Sequence, residues 1–326
     1  MDRAVISSTG RYLPEFTMAN EVMVQFSPEA RKLIGDKTGV FTRHFAAADQ
    51  CTSDLAVRAA LDCLQKIDFP AGEIDGIIVS TSSPDRMQPA TATRVQDLIG
   101  ANRAFAFDIN SVCSGSSFGI AVADAMIRAG LCRTVLLIAA EVYSKILYPK
   151  DFSTYPYFGD GAGAVLLQAV PGSSRGVVHS CLATDGAGRD KICVPGGGTL
   201  LPFEKMPGPR SAYFRMKGTD VFDFAIQKGP EIIRKLLEEA EVSLADVKCF
   251  ICHQANINII RQIAGILGLP LKYFFINLDR YGNTASASVL IALDEALADN
   301  TISEGDLVVT AAFGGGLSWG ANLLRI

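Results

Sequence analysis

The sequence predicts an α/β fold in which one α/β unit occurs twice. Two observations support this prediction: short apolar strands alternate with segments of helical spacing, and landmarks of the first half recur in the second. The chain has 326 residues, of which 49% are hydrophobic and 20% are charged. This length and composition are typical of a globular protein of about two domains. The alternation favours parallel-rich sheets covered by helices.

The individual elements follow from apolar periodicity. Apolar runs rich in β-branched residues, such as Ile77-Ile78-Val79, predict strands at 75–80, 104–109, 134–139, 163–167, 247–252 and 306–312. Helical spacing predicts helices at 93–98, 116–128, 220–240, 259–267 and 286–298. Glycine and proline interrupt the pattern at 195–209, which indicates a loop.

The repeat can be counted along the chain. Ser80 and His253 each end a short apolar strand and lie 173 residues apart. Cys113 and Asn283 each follow a polar strand end and precede a helix, and they lie 170 residues apart. Two matched landmarks at nearly one offset indicate a duplicated unit. We expect an N-terminal half at 1–170 and a C-terminal half at 171–326, with Cys113, His253 and Asn283 around one shared cleft.

Composition and charge exclude several function classes. The net charge is −4, so a basic surface for nucleic acid is not expected. No apolar run approaches ~20 residues, so no membrane-spanning helix is expected. The first ten residues lack the apolar core of an export signal, and eight cysteines are scattered along the chain. These features predict reduced thiols in a cytoplasmic protein.

Cys113 is the first candidate for chemistry. It follows a predicted strand and stands where a helix begins, so the helix dipole is expected to lower the pKa of its thiol. Ser114 and Gly115 leave room for a substrate at the sulfur. The alternative interpretation is a buried structural cysteine, which is the more usual environment of this residue.

Two polar residues of the second half are candidates for the same cleft. His253 ends an apolar strand, and Asn283 lies at the position that matches Cys113 in the repeat. His253 taken alone is as consistent with a structural role as with a catalytic one. The Gly-Asn pair at 282–283 is equally typical of a plain turn. The repeat favours a fixed amide donor beside the imidazole.

Two glycine-rich runs have different interpretations. The run 313–320 follows a strand, and its glycines would let backbone N–H groups approach a ligand, as in an oxyanion hole. The alternative is a turn between strands. The run 159–163 lacks dinucleotide spacing and indicates close backbone packing.

Three motif matches do not carry a function. Cys249-Phe250-Ile251-Cys252-His253 fits a haem-attachment pattern but lies in an apolar strand. The same pair lacks a second ligand pair for zinc, so no metal site is expected. Gly115-Ser116-Ser117-Phe118-Gly119 fits a serine hydrolase pattern, but Ser117 falls inside the predicted helix.

Taken together and in order, these segments resemble β-ketoacyl-acyl carrier protein synthase III, a thiolase-like condensing enzyme family. The resemblance runs nearly end to end. It is carried by Lys37-Thr38-Gly39-Val40, the Cys113 segment, the runs 158–164 and 214–218, His253-Gln254-Ala255-Asn256, and the runs 279–284 and 313–316. It implies a doubled α/β/α fold of five layers, a homodimer and no cofactor besides the thioester substrates.

The resemblance also implies a reaction. Cys113 would take an acyl group from an acyl thioester, and backbone N–H groups of Cys113 and Gly315 would form the oxyanion hole. Malonyl-acyl carrier protein would then lose CO₂, with His253 and Asn283 stabilising the enolate. The carbanion would attack the acyl group, in fatty acid or related biosynthesis. The implied partners are acyl carrier protein and a coenzyme A thioester.

The substrate-binding positions depart from the family pattern. The resemblance assigns this role to Lys37, Gln88, Phe152, Gly218 and Asn256. In the family, a tryptophan is typical where Leu33 stands, and arginines are typical where Lys37 and Phe152 stand. Asn258 replaces a basic residue that docks the carrier protein, and Gln88 replaces an aromatic pocket residue. The priming donor is therefore either coenzyme A bound differently or another carrier.

Two alternatives remain open from sequence. One is an acyltransferase of the same fold that forms an ester or amide, or condenses a non-standard substrate, in secondary metabolism. The other is a serine hydrolase that uses Ser117.

Overall fold

Two mixed β-sheets form the framework of the protein, seen in a computed structural model that describes residues 2–326. The strands are β1 (Asp2–Tyr12), β2 (Phe16–Ala19), β3 (Thr42–Phe45), β4 (Gly76–Ser80), β5 (Phe105–Ile109), β6 (Thr134–Glu141), β7 (Gly161–Pro171), β8 (Gly176–Thr184), β9 (Ile192–Cys193), β10 (Arg215–Met216), β11 (Val247–Cys252), β12 (Leu307–Gly314) and β13 (Ser318–Arg325). The helices are α1 (Pro28–Thr38), α2 (Thr52–Gln65), α3 (Thr91–Leu98), α4 (Gly115–Arg128), α5 (Gly218–Glu239), α6 (Ile257–Leu267), α7 (Leu278–Tyr281) and α8 (Ala287–Ala298).

The first sheet has the order β1-β7-β6-β4-β5 and the second has the order β11-β12-β13-β8. Strand β4 is parallel to β5 and β6, and β11 is parallel to β12. The remaining pairs are antiparallel. The sequence analysis therefore overestimated the share of parallel strand pairs. The connection from β12 to β13 has only three residues, which is too short for a parallel crossover.

The two sheets and their helices stack in five layers. Helices α2 and α3 pack on the outer face of the first sheet, through Leu55 and Val95 among others. Helices α4 and α8 lie between the sheets, where Ile120 and Leu290 belong to one apolar cluster with residues of both sheets. Helices α5 and α6 cover the outer face of the second sheet. This is the doubled α/β/α arrangement expected from the sequence.

Close backbone packing at Gly163 holds the central layer against the first sheet. A Cβ atom at Gly163 would lie 2.6 Å from Cβ of Leu290 in α8, closer than two carbon atoms approach. This contact confirms the interpretation of the run 159–163 as a packing motif.

The sequence missed several antiparallel and peripheral elements. Strands β1, β8 and β13 and helices α1 and α2 were not predicted, and β7 is longer than expected. The predicted loop 195–209 contains only short 3₁₀ turns at Phe203–Lys205 and Pro209–Ala212. Within residues 2–326, the helices are all too short or too polar to cross a lipid bilayer.

Candidate active site

A cavity of about 520 Å³ brings together the three residues that the repeat predicts to meet. Cys113, His253 and Asn283 all line it, and all three are buried. Most of the wall is apolar: Phe158, Ile192, Phe214, Met216, Val221, Phe222, Ala225, Ile259 and Phe313. Exposed Asp36, Lys37, Ser153 and Gly218 also line the cavity. The cavity therefore runs from a buried thiol to the protein surface.

Cys113 lies where β5 leads into α4. A short 3₁₀ turn, Val112–Ser114, runs directly into the helix, so the N–H of Cys113 has no acceptor inside the helix. Val112 has φ of 47°, a conformation that is strained for a β-branched residue. A Cβ atom at Gly314 would lie 2.7 Å from the Cys113 nitrogen. Glycine at 314 is therefore needed for the second half to approach this turn.

The pKa of the Cys113 thiol is raised well above its usual range, first by burial and then by the negative charge of Glu141. The sequence argument considered only the helix dipole and predicted a lower pKa. That direction is wrong, because the cost of placing a thiolate away from water exceeds the stabilisation by the helix terminus. The sulfur in the free protein is accordingly a protonated thiol at neutral pH.

Glu141 is the buried acid at the end of β6. Its carboxylate accepts hydrogen bonds from Ser83 Oγ (2.6 Å), from Ser286 Oγ (2.7 Å) and from the N–H and hydroxyl groups of Ser82. Burial raises the pKa of Glu141. Ser286 lies three residues after Asn283, so Glu141 connects the turn that carries the amide to the first sheet. No sequence motif marks this residue.

His253 follows β11, and its N–H donates to Ala311 O at 2.7 Å. Its Nδ1 lies 2.7 Å from Ser288 Oγ in α8. The same hydroxyl oxygen accepts the Gln254 N–H at 3.3 Å and has its own proton to donate to Nδ1. Burial lowers the pKa of His253 to about 4. The imidazole is therefore neutral at neutral pH, and the tautomer in which Ser288 donates to Nδ1 has its proton on Nε2.

Asn283 is held by its backbone and by its own side-chain oxygen. Its N–H donates to Tyr157 O (2.9 Å), and its carbonyl accepts the Gly159 N–H (3.0 Å). The side-chain Oδ1 accepts the Ala285 N–H at 2.9 Å. Gly282 supplies the φ of 65° that this turn requires. Because Oδ1 is engaged, the Nδ2 group is the donor left for a ligand.

Gly315, the second predicted oxyanion-hole residue, lies in the turn between β12 and β13. A Cβ atom there would lie 3.1 Å from Val112 Cγ2, so Gly315 packs beside the residue that precedes Cys113. Its carbonyl accepts a hydrogen bond from Ser318 Oγ at 2.8 Å. Among the described residues, the cavity wall includes Phe313 but not Gly315.

Three of the five predicted substrate-binding residues line the cavity: Lys37, Gly218 and Asn256. The other two lie elsewhere. Phe152 packs edge-on against Phe26, with 5.2 Å between ring centroids. Gln88 is exposed to solvent in the turn before α3. Asn258, one of the departures from the family pattern, also lines the cavity, and its Nδ2 donates to Lys37 O at 2.7 Å.

Ser117, the nucleophile of the hydrolase alternative, lies in the first turn of α4. It is fully buried, does not line the cavity, and its hydroxyl has no hydrogen-bond partner within residues 2–326. A serine nucleophile needs an adjacent base and access to substrate. The structure provides neither at Ser117.

Comparisons with known proteins identify the family of the chain. A family model described as 3-oxoacyl-[acyl-carrier-protein] synthase III matches residues 107–186, and its C-terminal counterpart matches residues 237–326. A β-ketoacyl-[acyl-carrier-protein] synthase III from Erythrobacter litoralis is 38% identical over 327 residues, with 100% of both chains covered. The chain belongs to the 3-oxoacyl-[acyl-carrier-protein] synthase III family.

Solved synthase III structures share the fold. The enzyme from Aquifex aeolicus matches with a TM-score of 0.90 and 34% identity over 99% of this chain and 100% of that chain. The enzyme from Thermus thermophilus matches with a TM-score of 0.91 and 36% identity, covering 99% of each chain. The prediction of a duplicated, thiolase-like α/β fold is confirmed. As a synthase III, the chain is a condensing acyltransferase, and the two alternatives from the sequence are not favoured.

Proposed function

We propose that Cys113 is the nucleophile of this synthase III, with His253 and Asn283 as the hydrogen-bond donors for decarboxylation. The observation that supports this assignment is that a thiol, a neutral imidazole and a carboxamide with a free Nδ2 line one buried cavity. The imidazole and the carboxamide have the protonation and orientation that their donor roles require, and Cys113 loses its proton as it attacks.

In the first half-reaction, the Cys113 sulfur attacks the carbonyl carbon of an acyl thioester. A new sulfur–carbon bond forms, the carrier thiol leaves, and the proton of Cys113 leaves with it. The N–H groups of Cys113 and Gly315 stabilise the tetrahedral oxyanion. The apolar wall of the cavity suits the acyl chain, which lies there without exposure to water.

In the second half-reaction, malonyl-acyl carrier protein occupies the same cavity. The bond to its carboxylate breaks, CO₂ leaves, and the electron pair forms an enolate at the thioester. His253 Nε2–H and Asn283 Nδ2 donate hydrogen bonds to the enolate oxygen. The carbanion then attacks the acyl carbonyl carbon and forms the new carbon–carbon bond. Cys113 leaves as a thiolate and takes up a proton from solvent, and the product is a β-ketoacyl thioester of fatty acid or related biosynthesis.

The carrier is held at the cavity mouth. We assign contacts with it to Lys37, Gly218 and Asn256, with Lys37 as a point charge for a phosphate group. Phe152 keeps its predicted substrate role only if the carrier extends beyond the cavity, and Gln88 keeps its role at the acyl pocket only if the acyl chain does. Both a coenzyme A thioester and an acyl-carrier-protein thioester fit these contacts as the priming donor.

We further propose that the protein is a cytoplasmic homodimer. Each chain would consist of an N-terminal half, 1–170, and a C-terminal half, 171–326. Strand β5 is an edge of the first sheet, and its Phe105 is 40% exposed and stacked on Phe107. An exposed apolar edge strand favours pairing with a second copy. All eight cysteines are free, which suits a reducing compartment.

Intact-mass spectrometry after incubation with a panel of acyl thioesters tests the assignment. We expect one acyl group on wild-type protein, mapped to the Cys113 peptide, and none on Cys113→Ser. Cys51→Ser is the matched control, because Cys51 is half-buried and does not line the cavity. Addition of malonyl-acyl carrier protein should discharge the acyl group with release of CO₂. Acylation of another cysteine, or discharge without CO₂, would contradict the proposal.

A further inference from the structure

Three metal-ligating side chains converge away from the active site. His179 Nε2 lies 2.9 Å from Glu239 Oε2, and Cys181 Sγ lies 3.1 Å from the same oxygen. The three donor atoms all lie within 4.8 Å of one another. None of these residues lines the active-site cavity. The synthase III reaction as derived above does not use them.

The fold explains why these side chains meet. His179 and Cys181 are alternate residues of β8, so they point to the same face of the strand. That face packs under α5, and Cys181 belongs to the same apolar cluster as Ile232 and Leu236 of α5. Glu239 is the last residue of α5 and reaches back over β8. Two rigid elements therefore position the donors.

The donor set and its geometry suit zinc. Zinc binds thiolate, imidazole and carboxylate tetrahedrally with bonds of about 2.0–2.3 Å, which places neighbouring ligand atoms about 3.3–3.7 Å apart. The two contacts, 2.9 and 3.1 Å, are hydrogen bonds and are shorter than these ligand separations by a few tenths of an ångström. The third pair of donor atoms, on His179 and Cys181, lies within 4.8 Å, so rotation of the three side chains can place all three donors around one ion.

The charges also balance. The Cys181 thiol now donates to Glu239, and burial followed by that hydrogen bond raises its pKa to about 12. A bound divalent cation displaces the thiol proton to solvent, and thiolate plus carboxylate then neutralise the ion. Lys235 Nζ lies 3.8 Å from the other oxygen, Oε1, so Oε2 stays available. The C-terminus of α5 adds a favourable negative potential.

An ion can reach this position from solvent. The side chains of His179 and Glu239 are 37% and 45% exposed, whereas Cys181 is buried beneath them. Three protein ligands on one side leave the solvent side open for water as the fourth ligand.

We propose that His179 Nε2, Cys181 Sγ and Glu239 Oε2 form a binding site for one zinc ion. The sequence analysis expected no metal site, because it tested only the Cys249–Cys252 pair, which lacks a second ligand pair. Glu239 lies 58 residues after Cys181, so no short motif marks this cluster. A bound ion would fasten the edge strand β8 to the end of α5. The first turns of α5 line the active-site cavity through Gly218, Val221 and Ala225. This inference does not depend on the proposed catalytic roles.

Cobalt absorption and zinc competition test the site on the purified full chain. Wild-type protein should bind one Co²⁺ with a sulfur-to-cobalt charge-transfer band, and zinc should displace it. Cys181→Ser should abolish the band, and His179→Gln should weaken zinc binding at least as much as the roughly 10–100-fold that loss of a ligand's hydrogen-bonding partner costs. Zinc should also raise the melting temperature of wild type but not of Cys181→Ser.

Two control variants locate the ion. Cys193→Ser removes a cysteine outside the cluster and should keep the band. Cys113→Ser removes the thiol of the active-site cavity, where Cys113 and His253 offer a second pair of sulfur and nitrogen donors. This variant should also keep the band. Absence of a band in wild type, persistence of the band in Cys181→Ser, or its loss in Cys113→Ser would each overturn the proposal.

Discussion

The hydroxyl of Ser288 lies 2.7 Å from Nδ1 of His253, within reach to donate its proton to that nitrogen. With Nδ1 as acceptor, Nε2–H is the donor for an enolate oxygen. We expect Ser288→Ala to slow decarboxylation of malonyl-acyl carrier protein about 2–10-fold, the equivalent of one hydrogen bond of about 0.5–1.5 kcal/mol. Acylation of Cys113 should keep its rate.

Ser117→Ala is the matched control for this variant. Ser117 is another buried serine, but its hydroxyl has no partner among residues 2–326, so its removal should leave both half-reactions unchanged. Equal slowing of acylation and decarboxylation in Ser288→Ala would point to a general loss of structure. Separate assays of CO₂ release and of acyl-enzyme formation measure the two steps.

Asn283→Ala removes the second donor to the enolate. Loss of one oxyanion donor costs roughly 10²–10³ in rate, so decarboxylation should fall by that amount while acylation of Cys113 stays largely intact. Quenched time courses of acyl-enzyme mass and of CO₂ release measure acylation and decarboxylation separately. Collapse of acylation in this variant would contradict the assigned role of the amide.

His253 should remain neutral well below the usual pKa of histidine. Burial lowers its pKa to about 4 from an ordinary value of 6.5. The unfolded chain therefore binds a proton at this residue between those two values, and the folded protein does not. Stability is lost as the pH falls from 6.5 to 4, by about 3 kcal/mol from this group. Above pH 6.5, His253 is not expected to change the stability of the fold.

Nuclear magnetic resonance of histidine-labelled protein measures this pKa directly. His253→Gln identifies the resonance, and His44 and His179 serve as internal comparisons. A midpoint near 6.5 for His253 would show that its imidazole is hydrated and would remove the argument for a neutral donor.

Alkylation of Cys113 by iodoacetamide should accelerate steadily with pH. Because the thiol pKa is raised by burial, the thiolate fraction should increase about tenfold per pH unit from about pH 6 to about pH 9. Peptide mapping of the alkylated protein measures the rate at this cysteine alone. A rate that levels off below about pH 8 would contradict the raised pKa and would support the lowered pKa expected from the helix dipole.

Glu141→Gln removes the negative charge that helps to raise the pKa of Cys113. At a fixed pH the alkylation of Cys113 should become faster, while the melting temperature falls because an amide NH₂ group meets the donors of Ser82, Ser83 and Ser286. Asp160→Asn is the control. Asp160 is a second buried carboxylate with a raised pKa, and its loss should lower stability without changing the alkylation rate.

The sequence predicted the parts of the structure that have strong local signals. Strand β11 was predicted at its observed bounds, and α4 and α8 within one residue at each end, because buried apolar runs and helical spacing are read from neighbouring residues. Strand β1 was missed because polar Ser8 and Thr9 interrupt its apolar pattern. Their hydroxyls are satisfied by Cys63 O and Asp294, contacts that only the tertiary fold provides.

The sequence predicted only those site residues that the internal repeat marks. Cys113, His253 and Asn283 reach one cavity, as the matched offsets suggested. Glu141 and Ser288 were missed because their partners are distant in the chain: Ser288 follows His253 by 35 residues, and Ser286 follows Glu141 by 145. The direction of the Cys113 pKa was missed because burial depends on all surrounding layers and on no single neighbour.

The short β12–β13 turn and the β5–α4 turn press together so tightly that a methyl group at Gly314 would collide with the Cys113 nitrogen. Each turn belongs to a different copy of the repeated unit. The two units therefore have unequal roles at this contact: one carries the reactive sulfur, and the other has no side chain at the position that faces it. Any side chain at position 314 would have to displace the turn that holds the thiol, so the reactive sulfur of one unit depends on a glycine of the other.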